Sequence, residues 1–92
     1  MPKPTKYDLN KYIKAIKFFA SIKFGAFECY PKGGSVYTFK LYQKKADSVP
    51  CSIWSVHVEH NKKKSIWPRD LQKAWTELGV SKEDFIKTIE SL

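Results

Sequence analysis

Cysteine, methionine and glycine are all scarce: the 92 residues hold two cysteines, one methionine and four glycines. Cys29 and Cys51 allow a single disulfide and cannot build a disulfide framework. No Cys-x-x-Cys pair or Cys/His cluster has the spacing of metal ligands, so no structural zinc is expected, and no cofactor either. Long apolar runs are also missing. None approaches the roughly 20 residues of a membrane span, and residues 1–6 lead into no uninterrupted apolar core, so neither a span nor a secretory leader is expected. A cytoplasmic protein with two free thiols is the expectation. Acidic charge is the last scarcity. Nine Asp and Glu face 17 Lys and Arg, for a net charge of +8, which points to a polyanionic partner, nucleic acid ahead of an anionic membrane.

Aromatic residues, by contrast, are abundant: six Phe, five Tyr and three Trp. A chain this short makes one domain with a modest core, and dense aromatic packing compensates for its size. Residues 1–7, with two prolines and two lysines, read as a flexible arm, and residues 8–92 as the folded domain. Asp8 suits a helix N-cap. Leu9, Tyr12, Ile13, Ile16, Phe19 and Ala20 then recur at helical spacing, so a helix is predicted over residues 9–22. Lys11, Lys14 and Lys17 form a basic stripe off that apolar face, and Phe18 also falls outside it.

Three strands follow, over residues 24–30, 35–42 and 51–60. The first two are joined by Pro31-Lys32-Gly33-Gly34, a turn signal in which glycine supplies backbone angles other residues avoid. In the second, Tyr37, Phe39 and Leu41 alternate with Val36, Thr38, Lys40 and Tyr42. In the third, Trp54, Val56 and Val58 suit the buried side and Ile53, Ser55, His57 and Glu59 the open side. Short loops make an antiparallel meander with one face on helices. After the basic turn at residues 61–64, Pro68 fits the first turn of a helix, and Asp70 complements its dipole. Leu71, Ala74, Trp75 and Leu78 give the periodic face, and Gly79 stops the helix. Ser81 caps a short last helix, with Asp84 placed to answer it. The fold class expected is therefore α+β: an α-β-β-β-α two-layer sandwich, in the order of a double-stranded-RNA-binding domain, with a short additional C-terminal helix.

Gly34-Ser35 entering a strand, His60-Asn61-Lys62 after the next strand, and Leu71 to Leu78 closing on Gly79-Val80 with Phe85-Ile86 beyond form a series that resembles the HicA family of mRNA-cleaving toxins. The resemblance covers nearly the whole chain. It implies the double-stranded-RNA-binding fold, an mRNA substrate and an antitoxin protein as partner. It also implies that the catalytic position is the one after Gly34-Ser35, where the family has His and this chain has Val36. An isopropyl group neither accepts nor donates a proton. His57 is the replacement to weigh, since strand alternation puts it on the same open face as Val36, with Glu59 able to orient it. The plainer reading is that His57 is an ordinary exposed polar residue. His60 matches the family's turn histidine and suits a phosphate contact. Trp67 suits either stacking and antitoxin contact or a hydrophobic staple on the helix it precedes.

The phosphate-contacting set expected is Lys11, Lys14 and Lys17, Lys32 with Gly33 and Gly34, His60, Lys62, Lys63 and Lys64, and Arg69 with Lys73. Free N–H groups at the helix start near Pro68 would add an anion site. Three readings stand: a HicA-like toxin, active or inactive as a ribonuclease; a small regulatory protein that binds RNA or DNA without chemistry; and an interaction protein whose basic face meets an acidic partner.

Overall fold

Asp8 ends an extended segment and starts the first helix by accepting the Lys11 N–H at 3.2 Å, which satisfies one of the helix's free donors. The computed structural model describes residues 7–33, 35–60 and 64–92, with backbone alone at residues 59, 60 and 64. Helix α1 (Leu9–Lys23) buries Leu9, Tyr12, Ala15, Ile16 and Ala20, the stripe its 3.6-residue period predicts. It stops at Phe24, whose backbone turns extended while its N–H still bonds the Ala20 carbonyl at 2.8 Å.

Five strands make one sheet: β1 (Tyr7–Asp8), β2 (Ala26–Pro31), β3 (Val36–Tyr42), β4 (Ser52–His60) and β5 (Lys64–Ile66), in the order β1-β5-β4-β3-β2. All neighbours run antiparallel. Phe39, Leu41, Trp54, Val56, Val58 and Ile66 turn one face inward, where they join the buried residues of α1, of α2 (Pro68–Leu78) and of α3 (Lys82–Glu90) in a single core. Phe39 stacks on Trp54 at 5.3 Å between ring centroids, and Tyr12 meets Phe39 edge-on at 5.3 Å. Trp75 is half-buried against the same core. The protein is thus an α+β fold with helices on one face of an antiparallel sheet.

Two short strands exceed the three expected. Tyr7, assigned by sequence to a flexible arm, pairs with Ile66, and Lys64, assigned to a basic turn, pairs with His60. Strands of two and three residues are too short to show alternation; they form because β4 leaves an edge beside its last residues. Helix α2 begins at Pro68 and ends at Gly79 with φ 71°, as the residue types require. Trp67 itself is the N-cap of α2, one position beyond the place a staple residue takes, so the staple reading does not hold. Ser81 accepts the Asp84 N–H at 3.1 Å and caps α3. Lys23 Nζ donates to the Gly79 carbonyl at 3.0 Å, tying the end of α1 to the end of α2. Among the described residues, no helix is long and apolar enough to cross a membrane.

Candidate nucleic-acid interface

The hairpin between β2 and β3 is closed by two backbone bonds, Lys32 N–H to the Val36 carbonyl at 2.9 Å and Val36 N–H to the Gly33 carbonyl at 3.2 Å. Gly33 has φ 109°, a conformation that L side chains rarely adopt. Gly34 lies outside the described residues. Lys32 and Gly33 are exposed at the tip, and Ser35 is half-buried.

One further bond sets what faces what. The Val58 N–H donates to the Ser35 carbonyl at 2.7 Å, so Ser35 and Val58 form a hydrogen-bonded pair. The next pair, Val36 and His57, is then of the non-hydrogen-bonded kind, in which side chains approach more closely. Val36 and His57 are indeed direct cross-strand partners, and both project from the face opposite to Phe39 and Val56. The expected proximity of these two residues is present. His57 is exposed, and no described hydrogen bond or ion pair engages its imidazole. The side chain of Glu59 lies outside the described residues, as do the side chain of His60 and all of residues 61–63.

Among the described residues, no helix packs on this second face of the sheet. Thr38 and Ser55, directly paired across β3 and β4, bond through their hydroxyls at 3.2 Å. Lys40 Nζ sits 5.3 Å from the centre of the Tyr30 ring, a cation–π arrangement. Hydrogen bonding with the Tyr30 side chain foremost holds the ammonium pKa above its ordinary value. Tyr42 Oη donates to the Glu28 carboxylate, and this bond foremost raises the phenol above its usual range. Alternation in the sequence already grouped Val36, Thr38 and Lys40 on one side. The alignment of Tyr30 and Glu28 with them needed the β2–β3 register, which only the folded hairpin supplies.

Among the described residues, the candidate lysines do not form one surface. Lys11, Lys14 and Lys17 are exposed and leave α1 on the side away from its buried residues, whereas Val36 and His57 lie on the far face of the sheet. Arg69 is exposed in the first turn of α2. Lys73 is committed elsewhere: its Nζ donates to the Ser55 carbonyl at 3.0 Å and lies 3.5 Å from Asp70 Oδ1. It caps a carbonyl that points away from β3, where no strand pairs with Ser55. Asp70 is buried, and its Oδ2 has no hydrogen-bond partner among the described residues. A carboxylate therefore already occupies the start of α2, where the sequence suggested a free anion site.

Neither cysteine is disposed as a nucleophile. Burial pushes the Cys29 thiol up to about 11, and Cys51, exposed, donates to the Leu41 carbonyl at 3.4 Å. Among the described residues, no group of three His, Cys, Asp or Glu side chains is placed to hold a metal. Comparison of the chain with protein-family models, curated proteins and solved structures returns no match.

Proposed function

We propose that this chain is a HicA-like RNA-binding protein, the toxin component of a toxin–antitoxin pair, with His57 in the place that the family's histidine would serve from position 36. The carrying observation is the direct pairing of Val36 with His57 beside the Gly33–Ser35 turn. The succession α1-β2-β3-β4-α2 supports the reading, since it is the order of a double-stranded-RNA-binding domain, and so does the net charge of +8. An imidazole one strand over from the family position reaches the same stretch of bound RNA. As a general base it would take the proton of a ribose 2′-hydroxyl. That oxygen would then attack the adjacent phosphorus, closing a cyclic phosphate, and the 5′-oxygen would leave with a proton from water or from the imidazolium.

A second reading is favoured by Val36 itself and by the absence of any described group bonded to His57: a scaffold that binds RNA without cutting it. Incubation of purified protein with a long mixed RNA, beside Val36→His and His57→Ala variants, separates the two. Cleavage by the parent that is lost in His57→Ala supports the ribonuclease. Silence from the parent together with cleavage by Val36→His supports the binding protein. Absence of RNA binding by all three forms refutes both.

A further inference from the structure

We infer that the open face of the sheet is a track for unpaired RNA, with Tyr30 stacking a base, Lys40 meeting a phosphate, and the Thr38–Ser55 hydroxyls reading the sugar or base edges on the way to His57. The inference rests on the RNA-binding reading above and names the surface and the form of RNA involved.

Burial on this face is uneven. Thr38 points away from the core yet is only 3% exposed, while Tyr30 is 36% and Ile53 55% exposed. Neighbouring side chains thus cover most of Thr38 at the centre of the face, and half-buried Ser55 beside it presents the more accessible hydroxyl. A hydroxyl both donates and accepts, so the Thr38–Ser55 pair keeps spare valence after its mutual bond. That suits a 2′-hydroxyl, which also does both. Tyr30 and Thr38 are cross-strand partners, as are Thr38 and Ser55, and His57 stands two residues beyond Ser55. Strand spacing puts Tyr30 and His57 roughly 12 Å apart, so a base held on Tyr30 leaves a neighbouring phosphodiester within reach of the imidazole.

Electrostatics select the occupant. Among the described side chains that β2, β3 and β4 put on this face the one carboxylate is Glu28, and Tyr42 Oη donates to it. The Lys40 ammonium faces the Tyr30 ring, with Glu28 as its cross-strand partner, and Lys32 is exposed just beyond the end of β2. A second copy of a chain carrying +8 would bring the same cation against itself, and the hydroxyl pair is too polar for a dry self-contact. Duplex RNA has its bases already stacked and shows side chains mainly backbone and 2′-hydroxyls. An exposed aromatic ring beside a cation instead suits a strand whose bases are free to stack.

The test uses the full chain, a fluorescein-labelled oligouridine and an RNA hairpin of matched length. Tyr30→Ala should weaken oligouridine binding roughly ten- to a hundredfold, the worth of one stacked base, while Tyr30→Phe keeps it. Lys40→Ala should lower the salt slope by about one unit. The control, Lys87→Ala on α3, removes the same charge from an exposed helix position and should leave the affinity within about twofold. Ultraviolet crosslinking of a 4-thiouridine strand to unaltered protein, read as attachment within β2, keeps the test independent of variant folding. Wild-type binding to oligouridine unaffected by Tyr30→Ala, with crosslinks elsewhere, overturns the track and leaves RNA binding standing. Binding to the hairpin alone does the same and favours a duplex-reading surface on α1. No binding to either RNA removes the RNA reading and the track with it. Loss of self-association in Tyr30→Ala without loss of RNA affinity reassigns the face to a protein contact.

Discussion

The Tyr12 hydroxyl joins both α1 and α2 to β4, the strand that carries His57, and its removal is a stringent test of that packing. Tyr12 has no solvent exposure. Its Oη donates to the Asp70 backbone carbonyl at 3.2 Å and accepts from Trp54 Nε1 at 3.2 Å, linking α1 to α2 and β4. Tyr12→Phe keeps the ring contacts with Phe39 and Phe85 and deletes one oxygen. Two buried groups then lose their partner, each at about 1–3 kcal/mol. Both bonds are long, so the expected destabilisation is about 2–4 kcal/mol, or roughly 10–25 °C in Tm for a domain of this size. Urea unfolding at neutral pH, followed by tryptophan fluorescence, measures it. A change below about 0.5 kcal/mol would refute the claim that these bonds hold the interior together. The same phenol makes a pH prediction. Burial above all, then the Asp70 charge, raises its pKa, while the Trp54 bond lowers it, and the net shift is upward. The group's ordinary value is about 10. A raised folded value means the unfolded chain ionises first, so this contribution is intact below about pH 10 and is lost above it. Wild type should therefore lose up to about 1.4 kcal/mol per pH unit that Tyr12→Phe does not lose. A gap between them that widens above pH 10 would contradict the assignment.

Two further outcomes are expected. A Cβ at Gly25 would stand 2.4 Å from the Lys45 backbone nitrogen and 2.5 Å from Lys44 backbone atoms, so Gly25→Ala should cost about 1–3 kcal/mol in a thermal or chemical melt; unchanged stability would mean the loop after β3 gives way freely. Lys32→Ala should reduce the slope of log affinity for RNA against log salt by about one unit. Lys73→Ala should change it far less, because that ammonium is held by Ser55 and Asp70, and equal slopes would refute the distinction.

Much of this architecture is legible in local pattern. Asp8, Pro68, Gly79 and Ser81 mark helix ends through the chemistry of their own side chains and backbones, and α1 shows its buried stripe because neighbours at three and four residues define its face. Strand alternation likewise put Val36 and His57 on one side of the sheet. The two shortest strands were hidden, because a pair such as Tyr7–Ile66 depends on residues far apart in the chain and carries no period of its own.

Charge was the least readable property. Lys11, Lys14, Lys17, Lys32 and Lys73 look equivalent as letters. In the fold three of them leave the helix layer, one stands at the hairpin tip and one is tied to a strand edge. The sequence by itself determined which residues turn inward, since burial follows a period that each element carries alone. Only the tertiary structure decided which outward residues meet, placing His57 against Val36 and Lys40 over Tyr30, because register between strands is set by long-range hydrogen bonds and core packing and by no single stretch of chain.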